Sequence, residues 1–360
     1  MTDFIQDITC DFVKELTPYE SARRLFSGGR YWLNANESPF ANDFSLDTSL
    51  LNRYPDCQPS ELIGAYASYA NLEPSQVLAS RGADEGIELL IRAFCNPGQD
   101  NIVICPPTYG MYAISANTFN VAVNKVPLTS EFTLDIDALT EIAHSKDLPK
   151  LLFLCSPNNP TGTLLPKAQV KQVLELFAGK TIVVMDEAYI EFSPKESWQS
   201  ELQNFDNLVI LRTLSKAFAL AGIRCGFALA SEQIIKVLLK VIAPYPVSAP
   251  VAQIAQQALS PDGLNLMLEQ VAYLNAEKQW LGEQLQARNY ETVGADGANF
   301  ILFRAQQKDA VMQYLVDQGL LIRDQSKQVQ LQNCLRVTVG NREQNQLFIN
   351  LLDEYNNRNV

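Results

Sequence analysis

Short apolar runs alternate with amphipathic segments through the middle of the chain. The runs predict strands, and apolar residues at helical spacing between them predict helices. The predicted strands cover residues 77–80, 101–105, 121–126, 151–155, 181–185, 208–211 and 226–230. The predicted helices cover residues 60–71, 83–94, 111–119, 136–143, 167–177 and 233–241. This alternation indicates an α/β layer with a mostly parallel sheet that helices cover on both faces.

The pattern changes near residue 243, where three prolines within 244–250 interrupt any helix. Long helical stretches follow to about residue 288, and shorter elements come after them. The predicted strands there cover 299–304, 320–323 and 335–339, and the predicted helices cover 310–317 and 344–355. These elements predict a smaller α+β unit. Near the start, Thr17 and Glu20 form a capping box around Pro18, which predicts one further helix.

Acidic residues outnumber basic ones by 40 to 28, which gives a formal net charge of -12. This charge disfavours nucleic acid and anionic membranes as partners. An anionic substrate would need arginine or lysine placed locally, which is feasible because salt screens charges beyond about 8 Å. No run of about 18 apolar residues predicts a membrane span, and the acidic first residues lack a signal-peptide core. We therefore expect a cytoplasmic protein.

The seven cysteines are widely spaced and odd in number, which favours reduced thiols over a disulfide framework or a zinc site. The single histidine, His144, lies in a polar segment that is typical of a surface side chain. One histidine cannot build a multi-histidine metal site, and no GxSxG motif accompanies it. We expect no metal, and we expect any enzymatic proton carrier to be a lysine or a carboxylate.

The segment 211–224 places Lys216 in a turn of small residues after an apolar strand. A lysine amine can bond covalently to a cofactor aldehyde. The hydroxyls of Thr213 and Ser215 and the guanidinium of Arg224 can hold a phosphate dianion. Taken alone, these residues also fit a solvated lysine and a structural salt bridge.

Three other predicted strand ends carry polar residues. Residues 155–162 form an Asn-Pro turn, which can also be a plain turn. Asp186 ends an apolar strand, where open α/β sheets build ligand sites, although it can equally cap a helix. Residues 80–85 lead into a helix whose first N–H groups suit a phosphate, or into an ordinary helix N-terminus. Together with Lys216, these features supply the parts that a pyridoxal phosphate enzyme needs.

Seven motifs follow one another in a fixed order along the chain. They are LNANE (33–37), NRYP (52–55), RGADE (81–85), PPTYGMY (106–112), SPNNPTG (156–162), DEAY (186–189) and LRVTVG (335–340). With this set the chain resembles the fold-type I pyridoxal phosphate aminotransferases, and within them the histidinol-phosphate aminotransferases, from about Thr17 to Gly340.

The resemblance implies an α/β fold of fold-type I. Its large domain has a mostly parallel sheet sandwiched by helices, and its smaller domain is α+β. The implied division is an N-terminal segment 1–45 that packs with the small domain, a large cofactor-binding domain 46–245, and a small C-terminal domain 246–360.

The resemblance also implies how pyridoxal 5'-phosphate is held. Lys216 would bind it covalently and carry the proton, and Asp186 would pair with its ring nitrogen. Asn159 and Tyr189 would hydrogen-bond the ring oxygen, and Tyr109 would stack on the ring. The implied phosphate site consists of the backbone amides of Ala83 and Asp84 with the side chains of Thr213, Ser215 and Arg224.

The implied assembly is a homodimer with shared active sites, in which Tyr54 reaches the cofactor phosphate of the partner subunit. The resemblance also implies that Arg336, Arg323, Tyr19 and Asn36 recognise the substrate, and arginine forks suit its phosphate and carboxylate groups. Arg323 could instead form a surface salt bridge, and Tyr19 could be a buried helix residue.

The implied reaction is transamination between L-histidinol phosphate and 2-oxoglutarate, which gives imidazole-acetol phosphate and L-glutamate in histidine biosynthesis. Threonine-phosphate decarboxylase and an aromatic aminotransferase on the same fold remain as alternatives. The presence of Lys216, Asp186 and Tyr189 disfavours a non-catalytic regulator on this scaffold.

Overall fold

The computed structural model describes residues 4–18, 29–49, 51–294 and 297–358. Its α-helices are Phe4–Ile8, Asp11–Lys14, Ser60–Ala70, Ala83–Phe94, Met111–Thr118, Ile136–Ala143, Lys167–Leu176, Glu232–Leu238, Ala249–Ala258, Pro261–Gln286, Lys308–Asp317 and Arg342–Arg358. Its strands are β1 (Tyr31–Trp32), β2 (Val77–Ser80), β3 (Asn101–Ile104), β4 (Ala122–Lys125), β5 (Leu151–Cys155), β6 (Ile182–Asp186), β7 (Leu208–Thr213), β8 (Gly226–Ala230), β9 (Glu291–Val293), β10 (Phe300–Arg304), β11 (Leu320–Leu321), β12 (Arg323–Asp324) and β13 (Cys334–Thr338). None of the described helices combines the length and apolar character needed to cross a membrane.

Seven of the described strands form one large sheet in the order β2-β8-β7-β6-β5-β3-β4. Alternate residues of β5 enter two separate apolar cores, Leu152 and Leu154 on one face and Leu151 and Phe153 on the other. Both faces of the sheet are therefore covered, which explains why its central strands are apolar without alternation. The predicted α/β class is confirmed.

Strand β8 runs antiparallel to both of its neighbours, β2 and β7, while the other pairs in the large sheet are parallel. The chain returns directly from β7 instead of crossing over through a long helix, so the two strands must be antiparallel. The return contains a 3₁₀-turn at Ala221–Ile223 and ends on Arg224, whose φ is 55°. This tight return holds Lys216 at the carboxyl end of β7.

A smaller antiparallel sheet has the order β12-β13-β10-β9. Strand β9 was not predicted, because it is short and only its Val293 is buried. The single strand predicted over 320–323 is wrong, since the chain divides there into β11 and β12. Strand β11 pairs with β1, and β12 pairs with β13.

Residues 33–36, here called the strap, connect β1 to the small sheet. The backbone N–H of Thr338 donates to the carbonyl of Leu33 at 2.8 Å, and the N–H of Asn36 donates to Oγ1 of Thr338 at 2.9 Å. Asn299 adds a 3.1 Å hydrogen bond from its side-chain amide to the carbonyl of Asn36. The strap therefore has a fixed position beside β13. The helix predicted to start at Thr17 falls largely on residues 19–28, which lie outside the described residues.

Candidate active site

A cavity of about 320 Å³ opens where β5, β6 and β7 end, and the strap and the small sheet contribute to its walls. Most of the predicted site residues line it. They are Asn36, Ala83, Asp84, Tyr109, Asn159, Asp186, Tyr189, Thr213, Ser215, Lys216, Arg224, Arg323 and Arg336.

Lys216 projects its amine into this cavity from the turn after β7. The amine donates to the carbonyl of Ala35 in the strap at 2.8 Å and lies 5.7 Å from the centre of the Tyr189 ring. Burial, and to a smaller extent the charge of Arg336, lower the pKa of Lys216 to about 8. At pH 7 roughly a tenth of such amines are neutral and can accept a proton.

Asp186, the last residue of β6, is 2 % exposed. Its carboxylate accepts a hydrogen bond of 2.6 Å from the hydroxyl of Tyr112 and one of 3.1 Å from the N–H of Ala188. Burial raises the pKa of Asp186 to about 6, although both hydrogen bonds act in the opposite direction. Both donors are neutral, and a buried carboxylate is costly unless a cation pairs with it. The carboxylate is therefore suited to a cationic ligand group.

The hydroxyl of Tyr189 lies at the centre of a group of buried amides. It accepts hydrogen bonds from the side-chain amides of Asn36 at 2.9 Å and Asn159 at 3.4 Å. Burial raises the pKa of Tyr189 far above its ordinary value. The phenol therefore keeps its proton and can donate a hydrogen bond to a ligand in the cavity.

A cluster of donors forms one end of the cavity, at the start of the helix Ala83–Phe94. Arg224 donates to Oγ of Ser215 at 3.2 Å and to Oδ2 of Asp84 at 3.3 Å. Oγ1 of Thr213 lies 2.8 Å from Oγ of Ser215, and the hydroxyl of Tyr109 donates to Oδ1 of Asp84 at 3.0 Å. Because a helix start also offers free N–H groups and partial positive charge, this end is suited to a phosphate group.

Two arginines of the small sheet form another part of the wall. Arg323 on β12 lies directly opposite Arg336 on β13. Arg336 donates to the carbonyl of Asn34 at 2.9 Å and to Oδ1 of Asn159, and its guanidinium lies 5.2 Å from the ring centre of Phe300. Like charges at directly opposed positions destabilise a sheet. A ligand anion between the two guanidinium groups would remove this repulsion.

The arrangement of these groups agrees with the comparison to known protein families. The family model for "Aminotransferase class I and II" matches residues 31–352, nearly the whole chain. The chain belongs to this aminotransferase family. The resemblance to aminotransferases that the sequence predicted is therefore confirmed.

Relatives place this aminotransferase more narrowly, and a solved structure shows the same fold. A histidinol-phosphate aminotransferase from Pseudoalteromonas atlantica is 58% identical, over 96% of this chain and 94% of that protein. One from Yersinia enterocolitica is 55% identical, over 92% of this chain and 88% of that protein. The crystal structure of histidinol-phosphate aminotransferase from Sinorhizobium meliloti in complex with pyridoxal-5'-phosphate has a TM-score of 0.84 at 21% identity, covering 96% of this chain and 97% of that one, and shows the shared fold. The resemblance to histidinol-phosphate aminotransferases is confirmed.

One predicted residue of the aminotransferase, Tyr54, does not line the cavity. Tyr54 is 82 % exposed and stacks on Tyr245, with ring centres 4.5 Å apart. Its predicted role in the site of a partner subunit stays a prediction. Tyr19 lies outside the described residues.

Several residues in or next to the cavity were missed by the sequence analysis. The hydroxyl of the buried Tyr112 donates to Asp186, and a signal for this was present, since Tyr109 and Tyr112 are three residues apart around the start of a helix. Ala35, Gln325 and Gln328 line the cavity itself. They reach it through long-range packing, for which the local sequence has no signal.

Proposed function

We propose that the protein transfers an amino group between L-histidinol phosphate and 2-oxoglutarate, producing imidazole-acetol phosphate and L-glutamate in histidine biosynthesis. The observation that carries the proposal is one cavity that combines a half-buried lysine, a buried carboxylate and two opposed arginines. The names of the relatives support the same assignment.

The residues of the cavity fit pyridoxal 5'-phosphate. Gly82 has a φ of 86°, and a Cβ at this position would lie 2.6 Å from a guanidinium nitrogen of Arg224. The backbone before the helix can therefore approach a phosphate closely, with Thr213, Ser215 and Arg224 as further donors. The carboxylate of Asp186 can pair with the protonated ring nitrogen. When bound, the cofactor supplies an electron-withdrawing ring that stabilises negative charge developing at the α-carbon of the substrate.

We assign to Lys216 the covalent attachment of the cofactor and the movement of the proton at the substrate α-carbon. The lowered pKa of about 8 supports this role, because the amine must be neutral to act as a nucleophile or a base. The carbonyl of Ala35 holds the amine in one orientation inside the cavity.

The buried groups around Lys216 would set the polarity of the site. Asp186 keeps negative charge against the cofactor ring, supported by the hydroxyl of Tyr112. Tyr189 and Asn159 would each donate a hydrogen bond to the ring oxygen of the cofactor, and Tyr109 would stack on its face. The positions of Asp186, Tyr189, Asn159 and Tyr109 around one cavity support these proposed roles.

Substrate binding is assigned to Arg323 and Arg336, with Asn36 beside Tyr189 and with Tyr19 retained as a prediction. Histidinol phosphate and glutamate are both anionic, so one pair of arginines can serve both substrates in turn. The local positive charge also overcomes the formal net charge of -12, because screening limits the opposing field.

The finer features of the assembly are also proposals. We propose a homodimer in which Tyr54 completes the site of the partner subunit, and the exposure of Tyr54 supports this. We propose the division into residues 1–45, 46–245 and 246–360, which keeps the large and small sheets in separate domains. We propose action in the cytoplasm, supported by seven cysteines that form no disulfide.

The direct test of the reaction uses purified protein with pyridoxal 5'-phosphate, histidinol phosphate and 2-oxoglutarate. Glutamate should form in step with the loss of histidinol phosphate, and Lys216→Ala should abolish both this turnover and the visible absorption of the lysine-bound cofactor. Carbon dioxide release from threonine phosphate without glutamate formation would favour the decarboxylase. Comparable turnover of phenylalanine would favour an aromatic aminotransferase.

The shared site is tested by mixing two inactive variants, Lys216→Ala and Tyr54→Ala. If Tyr54 acts in the partner subunit, each hybrid dimer regains one intact site, and activity returns on mixing. Absence of any recovery in verified hybrids would contradict the proposed arrangement.

A further inference from the structure

The chain after β12 extends the face of the small sheet that carries Arg323. The backbone N–H of Gln325 donates to the carbonyl of the first residue of β13 at 3.0 Å, so the ladder continues one residue beyond Asp324. Side chains two residues apart on a strand share a face. Gln325 therefore lies on the same face as Arg323, and both line the cavity with Arg336. Asp324 is on the other face and pairs with Lys308 at 3.0 Å.

A relay of hydrogen bonds determines the orientation of the Gln325 amide. The backbone N–H of Thr108 can only donate, and it donates to Oε1 of Gln328 at 3.0 Å. The amide nitrogen of Gln328 must then point the other way, and it donates to Oε1 of Gln325 at 3.0 Å. This leaves Nε2 of Gln325 as a donor whose protons no other group in the described part of the chain accepts.

The cavity wall therefore combines two guanidinium groups with one oriented amide donor, all of which can donate hydrogen bonds to an anion. A phosphate monoester has three terminal oxygens and a charge near −2, whereas a carboxylate has two oxygens and a single charge. We propose that Gln325 is a specificity-determining residue that donates from Nε2 to a terminal phosphate oxygen of the amino donor. The arginines serve phosphate and carboxylate alike, and Gln325 favours phosphate. This inference rests on the proposed function, because it assumes a phosphorylated substrate.

Two substitutions separate the donor from the relay. Gln325→Met keeps the size of the side chain and removes both the donor and the oxygen that accepts from Gln328. Gln325→Glu keeps an oxygen for Gln328 but replaces the donor with a charged acceptor. The hydrogen bond to a charged group predicts a decrease in kcat/KM for histidinol phosphate of about 10-fold for the methionine variant. Repulsion between the introduced carboxylate and the substrate phosphate predicts a decrease in the same kcat/KM of about 100-fold for the glutamate variant. For the methionine variant, kcat/KM for glutamate should change by no more than about 2-fold.

A second measurement uses inorganic phosphate and acetate as inhibitors of the holoenzyme, in which the cofactor already fills its own phosphate site. The inhibition constant of phosphate should rise about 10-fold in Gln325→Met, while that of acetate stays the same. Gln332→Glu is the matched charge control, because this exposed side chain lies on the same loop and does not line the cavity. Its kcat/KM for histidinol phosphate should match that of the unsubstituted protein.

Equal losses for histidinol phosphate and glutamate would show a structural role for Gln325 and overturn the inference. Unchanged values for both donors would overturn it as well. If the unsubstituted protein does not turn over histidinol phosphate, the proposed function fails, and the inhibition constants still decide the role of Gln325. Unchanged inhibition by inorganic phosphate in Gln325→Met would then overturn the inference by itself.

Discussion

Two buried carboxylates follow one another at the end of β6, and their surroundings differ. Asp186 faces the cavity, where neutral donors bind it and burial raises its pKa to about 6. Glu187 is on the opposite face, where it pairs with Arg212 of β7 at 2.8 Å and accepts hydrogen bonds from Ser197 and Trp198. Strand alternation separates the two side chains.

Of these two buried carboxylates, Glu187 contributes to the stability of the fold and Asp186 is suited to bind a ligand. Glu187 and Arg212 satisfy each other, so removing one partner leaves an uncompensated charge in the protein interior. Asp186 carries an uncompensated charge already, and this cost is the source of its attraction for a cationic ligand group. The buried ion pair between Glu187 and Arg212 links the end of β6 to β7. Asp186, which pairs with no cation among the described residues, makes the cavity favourable for a cationic ligand group.

Asp186→Asn should cause the largest loss of function. The neutral amide cannot hold the ring nitrogen protonated, so kcat should fall by about 100- to 1,000-fold. The midpoint of chemical denaturation should not fall in the cofactor-free protein. Steady-state kinetics and urea unfolding measure the two effects, and a fall in both quantities would contradict the separation of the two faces.

Glu187→Gln should have the opposite effect, a loss of stability with little change in kcat. Arg212 loses a charged partner but keeps Glu191 at 3.3 Å, so the free energy of unfolding should decrease by about 3 kcal/mol. The kcat of the remaining folded enzyme should change little. Urea unfolding and steady-state kinetics of the same variant measure the two effects. A stable variant with greatly reduced kcat would contradict the assignment of Glu187 to stability.

The pH dependence of stability distinguishes Asp186 directly. Its pKa is about 6 in the folded protein against 3.8 ordinarily, so the folded state binds this proton more tightly. Its ionisation therefore destabilises the fold increasingly from pH 3.8 to pH 6, by up to about 3 kcal/mol. Asp186→Asn should stabilise the cofactor-free protein at pH 8, and this gain should disappear near pH 4. An equal gain at both values would argue against the raised pKa.

Tyr112→Phe should have the smallest effect. Its hydroxyl stabilises the charged form of Asp186, so its loss should raise the pKa of that carboxylate further and move the acidic limb of the kcat profile to higher pH. A decrease in kcat of about 10-fold near pH 7 is expected for one hydrogen bond to a charged group. Tyr69→Phe is the control, because Tyr69 lies 3.5 Å from Glu191 on the other face. A shift of the same size in both variants would contradict the specific contact.

Much of the fold was predictable, and the errors in the central strands have a common cause. The strand at 151–155 was predicted with its observed bounds, because its apolar run is uninterrupted. The next two strands were predicted to end too early, since β6 includes Asp186 and β7 includes Arg212 and Thr213. A pattern of apolar residues ends at the first charge, but here the charges are buried inside the strands.

The candidate site was predicted less evenly. Residues within recognisable motifs, such as Lys216 and Asp186, were found because each motif is local. The contact between Asn36 and Thr338 joins residues 302 positions apart, and the donor Gln325 depends on a relay from Thr108. Such contacts depend on tertiary packing, and no local pattern in the sequence indicates them.

The strap has a consequence for biosynthesis of the protein. Asn34 and Asn36 leave the ribosome early, whereas their partners Arg336 and Thr338 are synthesised some 300 residues later. The cavity wall cannot close while the nascent chain is still growing through the large sheet. Translation that stopped soon after Lys216 would leave the amine without the opposing arginines, so a truncated product would lack the part of the site to which we assign substrate binding.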